Sequence, residues 1–519
     1  MNFRGSPGRP RLSPSAPRGC RYVSSALVAA SLLLAACGSD PPPSDDVTPP
    51  GGTGGSGSST IPAGCTNDVQ TSSLPEFTQG DASGTRVQGL GVHTVGDTVD
   101  FEVPQGTVSF TIVEQAVSAP LSISGTIDGA AFTIENTAVP LRVLDPDENE
   151  FFNDNTSLPD DLSTTTKPVI FLSSSPGIGT LTAPNTSAGL ELVAGSGFPS
   201  GTWSLQVSDW AYECAIFDSS SSINCSASGK RDSEYDVSVI TKAADGHVIP
   251  SAGTIDLAIY FATSSVGGIA LSEETAASDH DLNRMADTLK RIYLEAGITV
   301  NGPTYHDLPE DVRATYATGV NVDLGGACAP LAQLLKNAAQ GNVLNIFFVS
   351  RLTSEDGSVI GVDGTIPGPA SIGGTVASGA AVSVEDLRQG TGSSSLCPAG
   401  TPRYTACGAD QTAYTIAHEA GHFMGLYHTT ERQGFSFDPL TDTDTCSCSA
   451  CATLAANEVC SLNPPAGKDS HWMDGSECPS RTAGCGGADN LMFWALGTGA
   501  AAQLTVEQKL VMVANPLVQ

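Results

Sequence analysis

The stretch T-I-A-H-E-A-G-H-F-M-G-L-Y-H at residues 415–428 decides the reading of the whole chain, because it contains H-E-x-x-H-x-x-G-x-x-H in full. His418 and His422 are four apart, so on a helix they project from one face about 6 Å apart along the axis, a span that two nitrogens of one tetrahedral zinc bridge. Glu419 follows the first histidine, where a carboxylate can take a proton from a metal-activated water without ligating the metal. Gly425 permits the backbone reversal that ends the helix, and the turned chain brings His428 round as a third nitrogen ligand. Three protein ligands leave the fourth position of a tetrahedral zinc to water, which marks a catalytic rather than a structural site.

These residues resemble the metzincin metallopeptidases, whose second mark is a methionine turn after the third histidine. The chain offers N-L-M-F-W at 490–494, and the resemblance implies that Met492 lies beneath the histidines as a hydrophobic base. The run G-L-Y-H-T-T-E at 425–431, followed by D-P-L-T-D-T-D-T-C at 438–446 and A-D-N-L-M-F-W at 488–494, is most similar to the pappalysin and cytophagalysin branch. The family implies an α/β (α+β) catalytic domain over 251–519, a zinc cofactor and protein or peptide substrates. Related enzymes carry calcium below the active site, which makes Asp438, Asp442 and Asp444 candidate calcium ligands, hard oxygens on a flexible loop, with a solvated acidic loop as the alternative. One departure stands out: several metzincins place a tyrosine two residues after the methionine, and here that position is Trp494.

The 519 residues carry 23 basic and 55 acidic side chains, for a formal charge of -32. Five of the arginines fall within the first 36 residues, which hold no acid, so the remainder is at -37. Such a surface repels nucleic acid and anionic lipid headgroups, and it suits a soluble exported protein. Residues 1–36 read as an export signal, with an arginine-bearing start and an apolar run at 26–36 that is too short to span a bilayer. The run ends in L-A-A-C at 34–37, which resembles the bacterial lipoprotein cleavage box, so Cys37 is the expected lipidation site. Gly38 follows rather than aspartate; the resemblance therefore implies an outer-membrane lipoprotein of the bacterial envelope, facing the periplasm or the outside.

Setting aside Cys20 and Cys37 leaves 12 cysteines, an even number that in an oxidising compartment reads as disulfides. Cys214 with Cys225 and Cys397 with Cys407 are sequence-local pairs. The cluster Cys446, Cys448, Cys451, Cys460, Cys478 and Cys485 reads as disulfides ahead of a thiolate metal site, with connectivity open.

Along the chain, residues 37–64 are mostly Pro, Gly, Ser, Thr and Asp and form a tether that cannot bury a core. Residues 65–250 show strand-period runs at 98–103, 107–113, 168–172 and 203–207 with turn signals between them, which indicates an all-β sandwich or jelly-roll domain. No catalytic constellation occurs there, so its expected role is binding or stabilising. From about residue 251 strands and helices alternate: a buried strand at 255–262, an amphipathic helix at 281–296, a short strand at 298–300 and an apolar strand at 343–349. The metzincin resemblance implies that residues 380–384 form the sheet edge above the cleft, able to pair with an extended peptide, with a plain structural strand as the equal alternative. Asp410 is the expected cap of the zinc helix, and T-V-E-Q at 505–508 is a capping box that opens a final helix.

The reading is a lipid-anchored zinc metalloendopeptidase with Glu419 as general base. Two rivals stand beside it: a catalytically silent metzincin-fold binding or adhesion lipoprotein, and a structural zinc protein that would recruit His471 as a fourth ligand.

Overall fold

The computed structural model describes residues 69–519 apart from 79–83, 119–121, 128–129, 155–157, 159–160, 172–174, 211–222, 227–232, 324–325, 340, 355–356, 391–406, 463, 480–483 and 497–501. The expected signal peptide, the tether and Cys37 lie outside these residues. The expected pairs Cys214–Cys225 and Cys397–Cys407 each have a member outside them too.

Alternating apolar residues in the first half build two four-stranded antiparallel sheets. One orders Gly84–Thr94, Glu234–Ala243, Thr107–Ala116 and Ile178–Ala183; the other orders Thr98–Val103, Gly201–Gln206, Arg142–Leu144 and Glu150–Asn153. Their inner faces share one core in which Phe101, Phe110, Phe151, Phe198 and Trp203 meet with ring centroids 4.9–6.3 Å apart. The apolar run expected as a strand at 168–172 is not one over 168–171. There the Asn185 side chain takes the place of a neighbouring strand, accepting from Ile170 N at 2.9 Å and donating to Ile170 O at 2.8 Å.

The second half is a five-stranded sheet in the order Ile298–Asp307, Gly253–Phe261, Val343–Val349, Ala380–Ser383 and Gly361–Asp363. The first four strands are parallel and the last is antiparallel to its neighbour. Val343–Val349 is apolar apart from Asn345 because both its faces are covered. Leu344, Ile346 and Phe348 pack towards the helices His280–Glu295 and Gly408–Phe423, while Phe347 and Val349 pack against Leu331, Leu334 and Leu335. The strand expected to be short at 298–300 runs to Asp307, paired along the length of Gly253–Phe261.

Two expectations are corrected. The sheet edge is not 380–384. Ala380–Ser383 is flanked on both sides, and the edge is Gly361–Asp363, because the chain runs out to the rim before the glycine-rich segment brings it back inside. Asp410 does not cap the zinc helix. That helix starts at Gly408 behind Cys407 with no side-chain cap, and a Cβ on Gly408 would lie 1.6 Å from the Asp386 carbonyl oxygen. Asp410, fully buried in the first turn, instead takes a two-pronged bond from Arg284 (3.0 and 2.7 Å) and one from Thr288 (2.8 Å), which ties the zinc helix to His280–Glu295.

The two halves are joined by buried contacts. Val87, Val113, Ile178 and Ile240 on the first sheet's outer face pack against Ile372, Val376 and Ala377 of the glycine-rich segment. Ser175 and Thr180 hydroxyls bond the carbonyls of Gly364 and Pro367. Lys242, itself buried, donates to the carbonyls of Val513 at 2.5 Å and Val518 at 2.6 Å, placing a cation at the C-terminal end of the helix Val506–Ala514. Lys242→Met keeps the stem and leaves these carbonyls without their donor. It is expected to lower stability in denaturant unfolding by about 2–4 kcal/mol; a loss below about 1 kcal/mol would contradict this role for the ammonium.

Candidate functional site

The zinc helix Gly408–Phe423 ends in a Schellman motif. Leu426 N donates to Gly421 O at 3.0 Å and Gly425 N to His422 O at 2.9 Å, with Gly425 at φ +101°, a conformation that favours glycine. This reversal carries His428 back over the last turn. His418, His422 and His428 are all buried, and their Nε2 atoms converge, with His428 Nε2 3.2 Å from that of His418 and 3.1 Å from that of His422. Nitrogens this close and aimed at a common point suit one bound ion.

The opposite ring nitrogens fix which atom faces the ion. His418 Nδ1 lies 2.6 Å from Leu491 O, His422 Nδ1 2.8 Å from Leu426 O, and His428 Nδ1 3.1 Å from Glu431 Oε2. All three partners are acceptors, so each Nδ1 carries the hydrogen and each Nε2 presents its lone pair. Burial, reinforced by His428, pushes the His418 imidazole down to about 3 against the opposing Leu491 carbonyl, and the same causes hold His422 well below the usual histidine range. Both rings are therefore neutral, ligand-ready donors near neutral pH.

Met492 is fully buried beneath this cluster, and its Sδ would lie 2.6 Å from a Cβ placed on Gly421. The glycine between the two helical histidines is thus the space into which the thioether packs. Thr429 N donates to Met492 O at 2.9 Å, and Asn490 Oδ1 accepts from Met492 N at 2.8 Å while Asn490 exchanges bonds with Gln508. Gln508 belongs to the expected capping box with Thr505, so the final helix braces the methionine turn.

Among the described residues, only His418, His422 and His428 gather three or more His, Cys, Asp or Glu ligand atoms within 4.8 Å of one another. Glu419 is fully buried beside the triad without joining that group, and its Oε1 would lie 2.3 Å from a Cβ on Gly361 of the edge strand. Asp363, two residues along the same strand, is half-buried as a residue, but both its carboxylate oxygens are shielded from solvent; desolvation and then the Glu419 charge hold its carboxyl well above the ordinary range. The Gly364 and Thr365 amides oppose this, though neither meets Asp363 with hydrogen-bond geometry.

The remaining expected residues fall elsewhere. His471 is not a fourth ligand: its two nitrogens are engaged by Glu458 at 2.8 Å and Glu477 at 2.9 Å. Trp494 donates Nε1–H to Met473 O at 2.6 Å, so its N–H is not aimed at a substrate oxygen. The clustered cysteines pair as Cys446–Cys478, Cys448–Cys460 and Cys451–Cys485, packed around Phe493 and Trp494; Cys328 and Cys407 are disulfide-bonded as well. The expected calcium ligands do not converge as a set of three side chains. Asp438 Oδ1 accepts from Thr443 at 2.5 Å, and Asp442 Oδ2 accepts from Glu507 N at 2.9 Å, capping the first turn of the final helix. The sequence reading missed the Glu431 and Leu491 contacts, though Glu431 stands three residues after the last histidine.

Residues 333–473 match the family model of metallo-peptidase family M12 (Reprolysin_5), a segment that includes the edge strand, Glu419 and all three histidines but ends before Met492. No curated protein matches the sequence. A crystal structure of metalloproteinase-II from Bacteroides fragilis aligns at 13% identity over 40% of this chain, with a TM-score of 0.21. The alignment spans 60% of that protein, less than two thirds of its length.

Glu431→Ala should leave the fold intact while freeing the His428 ring to turn. Zinc affinity, read by competition with a chelating dye, is expected to fall roughly 10–100-fold. Affinity unchanged within about twofold would show that Glu431 does not orient the ligand.

Proposed function

We propose that the protein is a zinc-dependent metalloendopeptidase, with His418, His422 and His428 as ligands and Glu419 as general base. The observation that carries this reading is the convergence of three buried, tautomer-fixed imidazoles with a buried carboxylate beside them, inside a segment matching a metallopeptidase family. Zinc, when bound, polarises the scissile carbonyl and acidifies a water. The rest of the work falls to the chain's own side chains and backbone. Glu419, which stands outside the group of three ligands, accepts the water's proton on its carboxylate and delivers it to the leaving amine. The edge strand Gly361–Asp363 uses one side to pair with Ala380–Ser383; its other side can take an extended peptide by antiparallel pairing, running the substrate past Glu419.

The finer placement in the pappalysin and cytophagalysin branch rests on the motifs at 425–431, 438–446 and 488–494, and on the burial of Met492 against Gly421. Lipid attachment at Cys37, with residence in the outer membrane, rests on the L-A-A-C box alone. The β-rich half, 65–250 in the sequence reading, serves as a scaffold: its outer sheet face holds the glycine-rich segment that leads away from the edge strand. Calcium at the 438–444 loop draws support from buried Asp438, whose Oδ2 meets no donor and whose carboxyl is raised by burial and by nearby Asp442 and Glu507.

Glu419→Ala and His418→Ala separate the roles. Measured as peptide cleavage alongside zinc content, Glu419→Ala should keep its metal and lose roughly 10²–10⁴-fold or more in rate, whereas His418→Ala should lose metal and activity together. A Glu419→Ala enzyme that retains more than about a tenth of the wild-type rate has another base, and a wild type that cleaves nothing in a broad peptide library is a binding protein.

A further inference from the structure

Far from the histidines, the aromatic core of the first half contains a carboxylate. Along the strand Thr107–Ala116, Val108, Phe110, Ile112 and Ala116 point into that core, and Glu114 shares their alternation, so its side chain enters between the two sheets. Glu114 is fully buried; neither carboxylate oxygen meets a hydrogen-bond donor, and no lysine, arginine or histidine pairs with it among the described residues. A second buried acid lies at the same end of the core. Asp209 Oδ2 accepts from Tyr235 Oη at 3.0 Å and from Asn136 Nδ2 at 2.6 Å, so the donors at this place serve Asp209 and not Glu114. Each acid makes itself felt here: burial and then Asp209 hold the Glu114 carboxyl well above the ordinary range, and Tyr235 is raised by burial and by both carboxylates.

A backbone oxygen approaches the same spot. Gly179 stands directly opposite Glu114 in the sheet, so the two residues address the same face. A Cβ on Gly179 would lie 2.3 Å from the Ala138 carbonyl oxygen, which places that oxygen over the glycine beside the Glu114 side chain. The place is therefore walled by hard oxygen atoms, two of them on a carboxylate with no donor.

Two buried acids with no basic partner for Glu114 must be neutralised. A proton on Glu114 would turn one oxygen into a donor and leave the other still without one. A divalent ion bound by both oxygens satisfies the whole carboxylate and neutralises it. Calcium accepts bidentate carboxylates and backbone carbonyls at irregular geometry, whereas magnesium demands a near-regular octahedron and retains its waters, and zinc favours nitrogen and sulfur.

We propose that the first half binds one calcium ion between Glu114 and Asp209, with the Ala138 carbonyl as a further ligand, as a structural site distinct from both the histidine triad and the 438–444 loop. The ion would pin the segment around Asn136–Ala138 to both sheets and so hold closed the end of the sandwich that carries Tyr235.

The test uses the full chain, with bound calcium measured by elemental analysis after removal of free metal. Thermal unfolding with and without added calcium, and terbium luminescence sensitised by nearby tyrosine and tryptophan, complete it. Wild type should retain a calcium that Glu114→Gln loses and Asp442→Asn keeps, should melt several degrees higher with calcium, and should sensitise terbium emission that calcium quenches. In an Asp442→Asn background, which removes any response of the 438–444 loop, Glu114→Gln should show neither response. If Glu114→Gln fails to fold, calcium-dependent melting of the Asp442→Asn chain and its loss on adding Asp209→Asn, which keeps the shape of the site, decide the matter. The proposal is overturned if the Glu114→Gln chain holds as much calcium as wild type. It is equally overturned if wild-type melting ignores calcium while stability falls as the pH rises, which would mean that Glu114 carries a proton instead.

Discussion

Everything at the candidate active site depends on one constraint: three imidazoles must turn the same nitrogen towards one point while buried, and each needs a hydrogen-bond acceptor on its far side to do so. The helix supplies only the spacing of His418 and His422. The acceptors come from elsewhere, with Leu426 O supplied by the Schellman reversal, Leu491 O by the residue before the buried methionine, and Glu431 by the loop after the third histidine. A ligand left without its outer partner loses both tautomer and orientation. That is why the region from Asn490 to the final helix, which has no metal ligand of its own, is built into the site through Thr429, Asn490 and Gln508.

The same logic explains how the two halves meet. The edge strand Gly361–Asp363 lies against Glu419 so closely that residue 361 has room only for glycine. The segment that follows it is rich in glycine and small residues and has no helix or strand of its own. Its position is set from outside, by apolar contacts with the first half's sheet and by the Ser175 and Thr180 hydroxyls. The β-rich half thereby sets the position of the segment that leads away from the edge strand.

Much of this was legible in the sequence wherever the signal is local. The zinc helix, the strand at 343–349, the Thr505 capping box and the disulfide character of the cysteine cluster all follow from spacing and composition over short windows. What failed was whatever depended on a partner distant in sequence. Asp410 looks like a cap, but Arg284 and Thr288 on another helix claim it. The strand at 380–383 looks like an edge, yet the three-residue strand that covers it is too short and too glycine-rich to be read from its own pattern. The apolar run at 168–171 has strand composition, but its backbone is satisfied by Asn185. Glu114 gives no sign in the sequence that it lies inside an aromatic core rather than on a solvated face.

The central claim is that His418, His422 and His428 are the whole protein ligand set of one zinc ion. X-ray absorption at the zinc edge of the purified chain tests it most directly. The account predicts three nitrogen scatterers with imidazole signatures at about 2.0–2.1 Å and one further oxygen. A fourth imidazole, or a sulfur shell at about 2.3 Å, would contradict it, since either would make the site a closed structural one.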